Sequence, residues 1–185
     1  MRVPSAISYF LLTGLIVGCA SSNTNNVPSS SYACQSEQVS GLPVAGQGVY
    51  GCHFYLHHPK THQILANTTY YLAIYPAPAN GRANPAPIVN LEGVTDAQGR
   101  SGYVRAAFPI TPDRTQFVER IGSGSYGRSP RLIRPTDGLP IPGMNYEVTW
   151  CGKPYAGITD ELGNGVMFST TSDACHVKVY FFAKR

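Results

Sequence analysis

The sequence predicts an all-β chain, and three observations carry that prediction. Charged side chains make up only 13% of the 185 residues, while Gly and Pro are present in 19 and 15 copies. That composition belongs to many turns and short strands rather than long helices. Tyr is unusually frequent, with 12 copies, and suits half-buried strand positions. Finally, the string G-[VI]-T-D-x-x-G occurs twice, as Gly93 to Gly99 and as Gly157 to Gly163. In such a string the aspartate can bond backbone amides two residues on, and the last Gly supplies a positive φ. Thr with Val or Ile before it extends the incoming strand.

The elements follow in chain order. Residues 1–18 read as an export signal: Arg2, an apolar stretch from Ile7 to Val17, then Ile16-Val17-Gly18-Cys19. The stretch is too short to span a bilayer as a permanent helix. Ile16 to Cys19 resembles the lipobox of bacterial lipoproteins, which implies that Cys19 is lipidated and becomes the mature N-terminus. Several acyl chains, at about 0.8 kcal/mol per buried methylene, would hold it on a membrane. Ala20 follows, where an aspartate would resemble an inner-membrane retention signal, so the outer membrane is expected. Residues 19–44 then read as lipidated N-terminus and flexible tether, with Ser21 to Ser31 rich in Ser and Asn.

A first β unit is expected over 45–121. It holds a strand with a central Tyr (Tyr70 or Tyr71), the turn at Asp96 and Gly99, a strand from Tyr103 to Phe108 and another from Thr115 to Ile121. Residues 122–136, rich in Gly, Ser and Arg, read as a linker or long surface loop. A second unit over 137–185 repeats the order, with Tyr146, the turn at Asp160 and Gly163, and strands from Val166 to Ser169 and His176 to Phe182. It is short, so it is expected to lean on the first. With Cys19 lipidated, Cys34, Cys52, Cys151 and Cys175 remain, and an even number in an oxidising compartment reads as two disulfides. Of the three connectivities, nearness in the chain favours Cys34–Cys52 and Cys151–Cys175.

Pro59-Lys60-Thr61, Leu65-Ala66, Tyr70 or Tyr71, and Gly93 through Arg100 together resemble transthyretin-like (prealbumin-like) β-sandwich modules, including those appended to type VI secretion spike proteins. The resemblance covers residues 52–108 well and 137–182 loosely, since Asn164 stands where the motif has Arg. It implies two tandem small transthyretin-like β-sandwich units. Enzymes of that fold which hydrolyse 5-hydroxyisourate end in Tyr-Arg-Gly-Ser. This chain ends Tyr180-Phe181-Phe182-Ala183-Lys184-Arg185, so that activity is not implied.

The remaining strings point away from catalysis. Gly122-x-Gly124-x-x-Gly127 matches a dinucleotide fingerprint, but Pro130 and Pro135 follow and no helix can start there to meet a pyrophosphate. His53, His57, His58 and His62 cluster, yet on a strand His53 and His57 stand about 13 Å apart, so no metal site is assigned. No cofactor is expected. Asp96 and Asp160, at matching places in the repeat, read as turn residues rather than a catalytic pair. A net charge of +4 gives no case for nucleic acid. Arg114, Arg120, Arg128, Arg131 and Arg134 lie in the middle segment with Tyr126, and Arg and Tyr are favoured at interface hot spots. Tyr126, Arg128, Arg131 and Arg134 are therefore the candidate protein-binding residues.

The expectation is a lipid-anchored, non-catalytic protein-binding module facing the periplasm, in a type VI secretion setting such as an immunity protein. Its expected partners are the membrane, through the lipid, and another envelope or secreted protein. Alternatives are a structural lipoprotein of a secretion or envelope complex, or a periplasmic metal- or small-ligand-binding protein.

Overall fold

A computed structural model describes residues 29–76, 86–172, 175 and 177–182. The export signal and Cys19 lie outside the described residues, as does His176. Eleven strands form three sheets: β1 (Val44–Gly46), β2 (Tyr50–Cys52), β3 (Thr69–Ile74), β4 (Val89–Val94), β5 (Tyr103–Ala106), β6 (Thr115–Gly122), β7 (Tyr126–Arg128), β8 (Asn145–Trp150), β9 (Lys153–Ile158), β10 (Met167–Thr170) and β11 (Val177–Phe182). The all-β expectation holds. The sheets run β1-β5-β2, β4-β3-β6-β10-β7 and β11-β8-β9, and none closes into a barrel.

The pairing shows that the duplication extends beyond the strings that announce it. β3 pairs antiparallel with β4 and β6, and β8 pairs antiparallel with β9 and β11. β5 runs parallel to β1 and antiparallel to β2, and β10 runs parallel to β6 and antiparallel to β7. Strand β6 therefore serves twice. It closes the first repeat against β3 and opens the second against β10.

Each position of the repeated motif has a physical cause. Tyr70 and Tyr146 are buried, and their hydroxyls accept from the Gly102 and Val166 amides, each at 2.9 Å. A buried Tyr ring with its hydroxyl satisfied contributes apolar area without a desolvation penalty. Gly93 and Gly157 lie against those rings, where a Cβ would collide. The Thr95 hydroxyl donates to Leu65 O (2.7 Å) and accepts from Thr68 N (3.0 Å). The Thr159 hydroxyl does the same with Ile141 O and Met144 N, both at 2.9 Å. Asp96 Oδ1 accepts from the Gln98 and Arg100 amides, and Asp160 Oδ1 from those of Leu162 and Asn164. Gly99 and Gly163 take φ of +80° and +74°, the left-handed region that a β-branched residue disfavours.

Two segments differ from expectation. The tether does not extend to residue 44. Tyr32 is 3% exposed, Gln35 and His53 form a β-bridge, and Cys34 is bonded to Cys52, so the fold begins by residue 30. An apolar ring and a cysteine within a Ser-rich run anchor it. Nor are residues 122–136 a linker. β7 adds to β10, and further bridges join Arg131 to Asn164 and Ile133 to Pro140. Gly and Ser there reflect a tight crossing rather than freedom.

Three apolar clusters sit in line. Phe54, Tyr70, Leu72, Ile74, Val104 and Phe117 fill the first repeat, and Tyr146, Val148 and Phe168 fill the second. Tyr71, Ala73, Val118 and Met167 join them across the five-stranded sheet. The cysteines pair as chain proximity favours: Cys34–Cys52 with Cα atoms 5.4 Å apart, and Cys151–Cys175 at 4.8 Å. Cys151 and Gly152 both have positive φ and make the tight β8–β9 hairpin turn. Their disulfide ties that turn to the approach to β11.

Candidate protein-binding surface

A buried polar constellation lies where the repeats meet. Tyr32 crosses from the N-terminal segment into the second repeat. Its hydroxyl donates to Asp160 Oδ2 (2.6 Å) and accepts from Asn164 Nδ2 (3.0 Å). The Phe117 amide on β6 also points at it, at 3.4 Å. Beside it Ser30 Oγ donates to Glu161 Oε1, and Ser31 Oγ accepts from the His57 amide at 3.0 Å. Burial pushes the Asp160 carboxyl above its usual range, against donated bonds from Tyr32, Asn164 and Leu162 that favour the ionised form. The Tyr32 phenol is pushed well above its ordinary value by burial and by the Asp160 charge, so it stays a neutral donor. Burial also raises Glu119 nearby, with His58 opposing.

This cleft has the chemistry of a joint. The cavity, lined by Ser31, Leu56, Phe117, Glu119, Asp160 and Val166 among others, holds about 40 Å³. That is room for one or two waters, whereas ligand pockets hold about 300–1,000 Å³. A wider depression of about 720 Å³ beside Cys151–Cys175 is open to solvent, and among the described residues that line it Lys178 carries the charge.

The two turn aspartates are not a pair. Asp96 Oδ2 meets Arg100 Nε at 2.6 Å within its own turn. In the second turn Asn164 takes the place of Arg100, and Tyr32 completes the shell of Asp160 instead. The histidines scatter in role. His53 Nδ1 bonds Glu37 O at 2.9 Å, and burial lowers its pKa. His58 Nδ1 accepts from the Lys60 and Thr61 amides. Among the described residues no three of His, Cys, Asp or Glu converge as metal ligands.

The glycines of 122–127 have a structural duty. Gly122 (φ +79°) and Gly124 (φ +121°) carry the chain over the end of β10, where a Cβ would strike the Ser169 and Thr170 carbonyls. Gly46 (φ +77°) and Gly48 (φ +139°) cross β5 in the same way, against Arg105 and Ala106. The shared string G-x-G-x-Y-G, Gly46 to Gly51 and Gly122 to Gly127, is thus a second signature of the repeat. It was legible as a repeated string, and only its likeness to a nucleotide fingerprint hid it.

The arginines divide by environment. Arg114 lies over the Phe108 ring at 5.1 Å. Arg120 bonds Ser169 Oγ, Gly124 O and Glu92, so it braces the crossing. Arg134 pairs with Asp137 at 2.8 Å. Arg128 and Arg131 are exposed and form none of the ion pairs among the described residues. With Tyr126, 48% exposed, they lie on and just after β7, one of the two outer strands of the five-stranded sheet. Of the four candidate binding residues, three therefore make no side-chain ion pair among the described residues, and the fourth, Arg134, is engaged with Asp137. Comparison of the chain with protein-family models, curated proteins and solved structures found no match.

Proposed function

We propose that this chain is a lipid-anchored, non-catalytic protein-binding scaffold, held by Cys19 at the periplasmic face of the outer membrane. In this reading its repeats are two tandem transthyretin-like β units fused through one strand. The observation that carries it is the placement of Tyr126, Arg128 and Arg131. An aromatic ring and two guanidinium groups that form no ion pair among the described residues sit on a sheet edge. Arg and Tyr of this kind are favoured anchors in protein interfaces. Pairing with β10, itself held by the shared strand β6, pre-organises that edge, which lowers the entropic cost of binding. The likeness of Gly93 through Arg100 to modules of secretion spike proteins supports a secretion-associated partner, with an immunity role the narrower form of the proposal.

Affinity capture from envelope extracts tests it, using the full chain against an Arg128→Ser/Arg131→Ser variant. The expected result is an envelope or secreted protein retained by the wild type and depleted with the variant. Equal recovery of the same proteins by both would refute the surface.

A further inference from the structure

The two repeats differ in one respect that points to a ligand. In the first, the chain's own residues 30–38 lie along the sheet edge beyond β2. Gln35 and His53 exchange both backbone bonds at 3.0 Å, antiparallel, and Cys34 is bonded to Cys52. Ser31 Oγ takes the His57 amide, and the Tyr103 hydroxyl donates to Ser36 O at 2.9 Å. This segment leaves Cys52 at 0% and His57 at 8% exposure.

The strand registers identify the matching places in the second repeat. Tyr50 and Cys52 face Ala106 and Val104 on β5, as Tyr126 and Arg128 face Thr170 and Phe168 on β10. The bridge His57–Ile64 is matched by Ile133–Pro140. Arg128, Ser129 and Ile133 thus occupy the places of Cys52, His53 and His57. Arg128 and Ile133 are exposed, the latter at 46%, and Ser129 is half-buried. Among the described residues the Ser129 amide and carbonyl make no backbone bond of the kind His53 makes with Gln35. The opening continues. Tyr32 meets the Phe117 amide on β6, and by register Val179 is the equivalent on β11, an outer strand with no described partner on its far side.

We infer that this edge is a slot for an extended segment of a partner protein, which adds antiparallel beside Ser129 as residues 30–38 add beside His53. The inference rests on the scaffold reading and specifies its ligand. Strand addition supplies affinity through backbone bonds, and pockets for alternate side chains supply specificity. Arg128 stands where Cys52 makes its covalent tie, so the position corresponding to Cys34 takes a carboxylate, with Arg131 adding to the positive field. The position corresponding to Tyr32 takes an aromatic or aliphatic side chain, since Val179 of β11 stands there in the place of Phe117, against which Tyr32 packs. The ligand is therefore an extended strand bearing a large apolar residue, one spacer and an acid. The chain's own segment has a cysteine at the acidic position and is tied to Cys52, so a second copy does not fit.

The test uses the full chain in detergent and a labelled synthetic peptide with the sequence of residues 29–38 carrying Cys34→Glu. The expected results are saturable binding, slowed hydrogen exchange at the Ser129 amide, and affinity lowered roughly fivefold to tenfold in Arg128→Ser/Arg131→Ser with a shallower salt dependence. A Cys34→Lys peptide should bind more weakly than the Glu peptide. In a second arm the native-sequence peptide, activated at Cys34 as its pyridyl disulfide, should exchange with the thiolate of an Arg128→Cys variant, releasing the pyridinethione, faster than with Arg131→Cys. Absence of peptide binding, equal affinity for wild type and double variant, or equal capture rates at the two cysteines would overturn the slot. So would sedimentation showing self-association that is lost in the double variant. A native partner whose capture survives loss of both arginines would remove this slot and leave the scaffold reading to be judged at other surfaces.

Discussion

The Tyr32 hydroxyl donates to the Asp160 carboxylate across 2.6 Å, linking residues 128 positions apart in the chain. Asp160 is also the N-terminal residue of its own turn, so one carboxylate holds a β-turn with one oxygen and the inter-repeat joint with the other. Removing the hydroxyl by Tyr32→Phe leaves a buried carboxylate short of a donor. The expected loss is about 1–3 kcal/mol, read from denaturant unfolding, with the turn amide bonds intact. Unchanged stability would show that the joint contributes nothing.

Stability near this joint should depend on pH with a definite sign. Burial raises the folded-state pKa of Asp160 and of Glu119 above the unfolded carboxylate range. Between the unfolded and folded values the native state binds more protons, so stability is full below the unfolded value and falls as pH rises through the folded one. Asp160→Asn removes one such group and keeps an oxygen for the turn amides. The variant should gain stability relative to wild type on moving from acid to neutral pH. A difference independent of pH would refute the raised carboxyl.

The two turn glycines should respond unequally. Both Gly99→Val and Gly163→Val force a β-branched residue to positive φ, and the backbone term alone costs roughly 1–2 kcal/mol. A Cβ at Gly99 meets the Ile64 side chain, which can move, while one at Gly163 meets the Leu132 carbonyl, which is bonded in place. Calorimetry should show the larger loss for Gly163→Val. A stable, folded Gly99→Val would remove the turn account there.

Each disulfide should protect a different region. Loss of Cys151–Cys175 should destabilise the chain by about 2–4 kcal/mol and loosen the approach to β11. Loss of Cys34–Cys52 should in addition free residues 30–38, detected as new proteolytic cleavage near Tyr32. Recovery of these cysteines as free thiols from the native compartment would refute both bonds.

The anchor is tested at the sulfur that would carry it. Cys19→Ala should abolish metabolic labelling with fatty acid and release the protein from membranes, because the thioether requires that atom. Persistent acyl labelling would end the lipoprotein reading.

The strand class, both Asp turns and the strand tyrosines were legible in the sequence because their causes are local, whereas the cysteine pairing, over separations of 18 and 24, was only favoured among three connectivities by nearness in the chain. An Asp bonding amides two residues on, a Gly at positive φ and a Tyr within an alternating strand each declare themselves within a few positions. The G-x-G-x-Y-G crossings were equally local, yet their meaning depended on a strand end some fifty residues away.

What the tertiary structure alone decided is which surfaces remain open. Cys52 and Arg128 occupy equivalent places, and nothing in their neighbouring residues says that one is covered by residues 30–38 and the other exposed. The same holds for β6, whose eight residues serve two repeats at once, and for Tyr32, a ring in a Ser-rich run that becomes the rivet between them. Periodicity reports the face a residue presents within its own strand. Which distant segment meets that face follows from register and chain path, and those are set by burial summed over the whole fold.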